Sequence, residues 1–302
     1  MSALVALMAL ITLTWRDAAP MPLPRAGYMA ASDGARLLIA GGTYWEADKK
    51  HWSDRVDWFD PTRNLWEPAP PLPSPRGDAA CAALDGTIYV FGGGADGAVT
   101  HDALALRGGR WRDEASWRLP APRLYPVATV FDGKIWVLGG LPATGDYPNA
   151  SATVWSNSGA GWKSHVEIPG PRRAHFALAA LRGKLYLFGG YGIVDGKPVN
   201  HDDAYEFDPA NNQWRALPRL PVARRAWWAV TRDDRVHVFG GYTDTFEDAV
   251  FSFDPASRSF TRVGALPQGV ADARFVAAGD KILTAGGESG NKIRAGWTWI
   301  GR

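Results

Sequence analysis

The sequence predicts an all-β, six-bladed β-propeller with four antiparallel strands per blade, the last blade completed by a strand from the N-terminal end. Three observations predict it. Gly-Gly doublets recur at Gly41-Gly42, Gly92-Gly93, Gly139-Gly140, Gly189-Gly190, Gly240-Gly241 and Gly286-Gly287, in steps of 51, 47, 50, 51 and 46 residues. Sixteen residues before the doublet stands an arginine in five of the units, Arg25, Arg76, Arg123, Arg173 and Arg224, with Val270 in the sixth. The 15 Trp and 34 Gly suit short strands, tight turns and repetition.

Each unit reads as four strands. A turn signal lies between arginine and doublet: Asp33-Gly34, Asp85-Gly86, Asp132-Gly133, Arg182-Gly183, Asp233-Asp234 and Gly279-Asp280. Such turns join two antiparallel strands. The second strand is the apolar run that ends at the doublet, for example Ile88–Phe91 or Leu185–Phe188. A polar loop follows, then a third strand: Val56–Phe59, Ala103–Leu106, Thr153–Trp155, Tyr205–Phe207, Val250–Phe253 and Trp297–Ile300. Trp66, Trp111, Trp162, Trp214 and Phe260 mark a fourth. A sandwich could hold the same strands, but marks in fixed register at this period favour radial repetition.

The sixth unit runs out after its third strand. Trp15 stands ten residues before Arg25, the same step as Trp66 to Arg76 and Trp214 to Arg224. Trp15 is therefore expected to supply the missing strand and hide two sheet edges. The propeller is placed at residues 10–302, with residues 1–9 a short apolar extension. Residues 1–13 lack a basic start and a small-residue cleavage site, are too short for a membrane-spanning helix, and make a poor signal peptide.

Charge is balanced, 33 Lys+Arg against 31 Asp+Glu. This argues against nucleic acid or a membrane surface as partner. The single cysteine, Cys81, sits in an apolar stretch and reads as a small buried hydrophobe. No HxH, HxxxH or CxxC spacing, P-loop, GxGxxG after a strand or GxSxG appears, so neither a metal nor another cofactor is expected.

The succession Pro-Arg, hydrophobic strand, Gly-Gly, Tyr or Trp, then a spaced Trp resembles the kelch repeat along essentially the whole chain. Kelch propellers include enzymes and binding platforms, so function must come from the site. Arginines and post-doublet loops share one face, placing a ligand at the mouth of the central channel. Arg25, Arg76, Arg123, Arg173 and Arg224 have two readings. They either pair with the acids before the third strand (Asp54, Asp102, Asp202, Asp203, Glu247, Asp248), or form a guanidinium ring that binds an anion. Arg123 faces Asn149 and Ser151 where other units have an acid. Asp78, Tyr125, His175 and Asp272 stand two residues after the arginine slot. His175 is either a general acid or base suited to neutral pH, or a half-buried histidine bonded to backbone.

In the sixth unit Arg294 stands where an acid is expected, six residues after Glu288. The segment Gly287–Arg294 resembles the Gly-Glu…Arg stretch of the bacterial kelch-type N-acetylneuraminate epimerases, the sialic acid mutarotases, in which it belongs to an interior blade. The resemblance implies an isomerase for a carboxylated sugar, with Glu288 as acid/base and Arg294 on the substrate; the chemistry of mutarotation also needs a proton given to the ring oxygen, for which His175 or Asp272 is the candidate. It implies a periplasmic bacterial protein and is compatible with a homodimer; the weak leader keeps a cytoplasmic location open. A non-catalytic module binding a peptide or glycan through the same mouth is the alternative. Copper chemistry of the galactose oxidase type is not expected, because Cys81 has no matching tyrosines and histidines near it.

Overall fold

A computed structural model describes residues 13–302. It is a ring of six four-stranded antiparallel sheets, with no α-helix among the described residues. Blade one comprises Met29–Ser32, Leu37–Ala40, Val56–Asp60 and Leu65–Ala69, and blades two to five repeat this order. In blade six, Arg274–Ala278, Lys281–Ala285 and Thr298–Gly301 are joined by Trp15–Asp17, with Trp15 opposite Gly301. The closure expected from the position of Trp15 is therefore present. The part of that expectation falling on residues 10–12, and the apolar extension 1–9, lie outside the described residues.

The first strands line the axis, and the apolar core is distributed between neighbouring sheets rather than gathered at the centre. One buried cluster fills each of the six junctions. Between blades six and one it contains Tyr28, Ile39, Phe59, Leu283 and Ile300. Between blades five and six it contains Phe239, Phe275 and Trp299, with Trp15 packed edge-on to both phenylalanines. Burying a large apolar side chain in such a junction stabilises the fold by about 2–3 kcal/mol.

Two repeated bonds explain the repeated letters. The second glycine of the doublet donates its N–H to the carbonyl of the next blade's arginine slot: Gly42 to Arg76 (2.8 Å), Gly93 to Arg123 (2.7 Å), Gly190 to Arg224 (2.9 Å), Gly241 to Val270 (2.8 Å) and Gly287 to Arg25 (3.0 Å). A Cβ on Gly41 would strike the Arg76 carbonyl, and both glycines of that doublet have positive φ. The fourth-strand tryptophans bind the preceding blade in the same way. Trp66, Trp111, Trp162 and Trp214 donate their indole N–H to the carbonyls of Ala19, Pro70, Trp117 and Val166, at 2.9–3.2 Å.

Cys81 differs from expectation. It is half-exposed, because the first strand of blade two turns it into the central channel. The channel surroundings still push its thiol up to about 12 by desolvation.

Candidate functional site

The residue after the arginine slot bridges the residue after the doublet in every blade: Ala26–Thr43, Gly77–Gly94, Leu124–Leu141, Ala174–Tyr191, Arg225–Tyr242 and Ala271–Glu288. One position further on, the chain takes a left-handed turn at Gly27, Asp78, Tyr125, His175, Ala226 and Asp272, with φ between 54° and 60°. These turns are linked around the axis. Asp78 N–H donates to Gly27 O (2.7 Å), Tyr125 to Asp78 (2.7 Å), Ala226 to His175 (3.0 Å) and Asp272 to Ala226 (2.8 Å). Five non-glycine residues in this conformation cost about 1–3 kcal/mol each, a strain that concentrates at functional sites. What it achieves here is to bring these six positions together at one end of the channel.

That end is a cavity of about 560 Å³, lined by Asp78, Tyr125, His175 and Asp272 of the ring and by Glu288, Arg294, Arg225, Tyr147, Tyr242 and Lys50, among others. It gathers the sequence candidates Tyr125, His175, Asp272, Glu288 and Arg294. The five slot arginines do not line it. Arg25, Arg76, Arg123, Arg173 and Arg224 are buried one step back, where they clamp loop to blade. Arg76, Arg173 and Arg224 donate to the carbonyl of the first glycine of their own doublets, at 3.0–3.2 Å. Their acids are Asp102 (3.8 Å), Asp203 and Glu247 (3.3 Å).

Arg25 pairs with buried Asp57 in the third strand (2.5 Å) rather than with Asp54 in the loop. Burial lowers Arg25 to about 10 against the pull of Asp57. Arg123 donates to Ser151 Oγ (3.1 Å) and the Pro122 carbonyl (2.7 Å), and lies over the Trp155 ring. The guanidinium ring at the mouth is therefore not formed by these residues: each is buried and bonded to backbone carbonyls or side chains of its own blade.

The carboxylates of the cavity differ in proton affinity. Asp78 is pushed up to about 7 by burial and by the negative charge of Asp272. The two converge at Gly27, where a Cβ would collide with Asp78 Oδ1 and approach Asp272 Oδ2 to 3.6 Å. Burial also works against ionisation of Asp272, but the charges of Arg274 and Arg294 help to outweigh it and hold this carboxyl below its usual range. Arg274 lies 2.9 Å from Asp272 and rests over Trp228. Glu288 is raised by burial and Asp272, against the counter-pull of Arg294, which it meets at 2.7 Å. Arg294 also donates to the Thr43 carbonyl (3.3 Å) and hydroxyl (3.4 Å) across the blade six–blade one junction.

Opposite stand aromatic and neutral groups. Desolvation drives His175 down to about 4, so its imidazole is neutral at pH 7. Its Nε2 shares a hydrogen bond with Tyr147 Oη (2.9 Å), and its ring packs on Tyr125 at 4.2 Å. The Asp78 charge and burial raise the Tyr125 phenol; burial raises Tyr147 to about 12.

Arg225, Tyr147 and Lys50 were not singled out from the sequence. Arg225 stands beside Arg224 and reads as part of the repeat; its signal is that the same position is Ala, Gly or Leu in the other five blades. Tyr147 comes from a 3₁₀ turn in an irregular loop and carries no repeat signal. Among the described residues, no cluster of three or more His, Cys, Asp or Glu has the geometry of a metal site.

Residues 149–287 match the KLHDC2/KLHL20/DRC7 kelch-repeats domain. The chain is 31% identical over 190 residues to kelch repeat protein M-T8 of Myxoma virus, covering 62% of this chain and 36% of that protein. It is 29% identical over 193 residues to beta-scruin of Limulus polyphemus (59% and 20% covered), and 23% identical over 268 residues to kelch-like protein 15 of Danio rerio (80% and 43%). It thus spans less than half the length of these curated relatives. The solved structure of YjhT superposes with a TM-score of 0.77 over 92% of this chain and 95% of that one, at 18% identity, a likeness of fold. Register, ring closure and these matches agree on the fold: a six-bladed β-propeller built of kelch repeats, with residues 149–287 matching a kelch-repeats domain.

Proposed function

We propose that the channel mouth carries out a proton-transferring isomerisation of a carboxylated sugar, namely anomer exchange of a sugar acid such as N-acetylneuraminate. One observation carries this reading: two buried carboxyl groups share one cavity in different surroundings, Asp78 beside Asp272 and Glu288 against the Arg294 guanidinium at 2.7 Å. Asp78 keeps its proton up to about pH 7, while Glu288 faces Arg294 as its counter-ion. Acid/base pairs set apart in this way mark proton-transfer sites.

Anomer exchange needs both forms at once. Glu288, as carboxylate, takes the proton of the anomeric hydroxyl. Asp78, as carboxylic acid, gives its proton to the ring oxygen. The ring C–O bond breaks and an open-chain carbonyl forms. Closure on the other face returns one proton from Glu288 to the new hydroxyl and one from the attacking hydroxyl to Asp78, so both groups are reset. Paired acid/base catalysis of this kind contributes about 10²–10⁴-fold per group. His175 and Asp272, the donors expected from the sequence, are unsuited to that role at neutral pH because one is neutral and the other ionised. They hold neighbours in place: His175 the Tyr147 hydroxyl, Asp272 the proton on Asp78.

The test is anomer exchange of N-acetylneuraminate followed by NMR, with wild type and Glu288→Gln. Acceleration by wild type that is lost in a folded variant supports the reading. No acceleration of any sugar acid by the folded wild type contradicts it. The rim of Trp45, Tyr242 and Phe246 around so wide a cavity favours a second reading, a non-catalytic module for a peptide or glycan, which predicts binding without exchange.

A further inference from the structure

Among the described cationic groups at the mouth, Arg225 and Lys50 meet no carboxylate within ion-pair distance; Lys50 lies over the Trp52 ring at 5.2 Å and its charge acts on Asp78 and Glu288. Arg294 is spent on Glu288 and Thr43, and Arg274 on Asp272. Lys292 meets Asp48 at 3.1 Å. Arg225 lines the cavity, half-buried, and among the described residues no carboxylate lies within ion-pair distance of it. Its guanidinium carbon lies 4.5 Å over the ring of Tyr191 and 4.6 Å over that of Tyr242. One Nη1 proton goes to Asn200 Oδ1 at 2.8 Å.

The placement follows from the fold. Arg225 and Tyr242 are cross-strand partners, joined by Tyr242 N–H to Arg225 O (2.8 Å) and Arg225 N–H to Tyr242 O (3.2 Å). Tyr191 occupies the equivalent place in blade four and packs edge-on to Tyr147 at 4.8 Å, which in turn holds His175. A guanidinium fixed by two rings and an amide has lost its rotamer freedom before a ligand arrives, so less entropy is lost on binding. With both rings against it, the recognition left to it is through its remaining N–H donors, and two of these in parallel match the two oxygens of a carboxylate.

The cavity is polarised around this residue. The three lining carboxylates, Asp78, Asp272 and Glu288, come from blades two and six. Blades three, four and five contribute Tyr125, Tyr147, His175, Arg225, Tyr242 and Phe246, with no carboxylate. Lys50, Lys292 and Arg294 of blades one and six stand on the carboxylate side, so Arg225 is the cation on the side of the cavity that carries no carboxylate.

We infer that Arg225, held between Tyr191 and Tyr242, is the seat for the ligand's carboxylate, so that a monoanionic sugar binds with its acid group toward blades four and five and its anomeric centre toward Asp78 and Glu288. This orientation rests on the sugar-acid reading; the anion seat itself does not. Arg225 is a specificity-determining residue in this arrangement, and Arg294 holds Glu288 rather than the substrate.

Two measurements test it separately. In the first, Arg side-chain ¹⁵N signals are followed while sodium pyruvate is titrated into wild type. The Arg225 Nε signal is expected to shift with saturation, and this shift is expected to vanish in Arg225→Gln. An Arg225 signal that does not respond overturns the seat, whatever the protein does to sugars. In the second, binding of N-acetylneuraminate and of its neutral methyl ester is compared. Wild type should prefer the acid by about tenfold or more, the scale of a charge-assisted bond pair. Arg225→Gln should bind both alike, Arg225→Lys should recover part of the preference, and Glu288→Gln should keep it while losing exchange. An unchanged acid-to-ester ratio in folded Arg225→Gln overturns the proposal even if exchange is present. A pyruvate response at Arg225 without exchange of any sugar acid leaves the seat standing and removes the isomerase reading.

Discussion

Replacing Asp78 by asparagine should make the protein more stable at alkaline pH. Asp78 is buried, and its affinity for a proton is raised from an ordinary 3.8 to about 7 by desolvation and by Asp272. The folded state therefore binds a proton more tightly than the unfolded chain. The stability that this proton brings is complete below about pH 4 and is lost as pH rises through 7. A shift of about three units at 1.36 kcal/mol each makes the loss about 4 kcal/mol. With an unfolding entropy near 2.1 cal/mol/K per residue over 302 residues, that is about 6 °C in Tm. Asparagine cannot ionise and suffers none of this. The assay is thermal unfolding of wild type and Asp78→Asn by circular dichroism at half-unit steps from pH 4 to pH 8. The Tm difference, variant minus wild type, should climb by about 6 °C across that range. A difference that stays flat, or falls, would show that Asp78 ionises normally in the folded protein and would remove the proton donor from the proposed mechanism.

Other substitutions separate the scaffold from the site. Arg25→Ala leaves buried Asp57 with Arg55 (2.8 Å) as its remaining ion partner and should cost about 1–3 kcal/mol in urea denaturation, with ligand affinity of the folded fraction unchanged. Trp15→Ala removes the ring that Phe239 and Phe275 pack against, and a loss of about 3–5 kcal/mol is expected; a loss under 1 kcal/mol would mean that the closing strand holds without it. Gly27→Ala places a methyl group against Asp78 Oδ1 at a left-handed position, so anomer exchange should fall at least tenfold while the blades still form, read by NMR exchange and circular dichroism.

Much of the propeller is legible in the chain because each repeated letter has a repeated bond behind it. The doublet glycines are fixed by the neighbouring blade's slot carbonyl, and the spaced tryptophans by the preceding blade's backbone. Trp15 could be assigned to blade six because its step to the next arginine is shared with other units. The site is less legible, because function sits in departures from the repeat. The ring positions Asp78, Tyr125, His175 and Asp272 stand out by their offset from the slot, and all four reach the mouth. The slot arginines, the most conspicuous charges, are held in the wall, since side chains at that step face their own doublet and not the axis. Asp57 escaped notice as the partner of Arg25 because it lies within the third strand instead of before it. Arg225 is hidden by adjacency to Arg224, and Tyr147 by an irregular loop whose course no period dictates.

The pH profile of N-acetylneuraminate anomer exchange, corrected for the uncatalysed rate, tests the central claim most directly. Catalysis should fall above about pH 7 as Asp78 loses its proton, fall again on the acid side as Glu288 gains one, and be absent in Asp78→Asn. A rate enhancement that is level from pH 5 to pH 9, or that persists in folded Asp78→Asn, would contradict it.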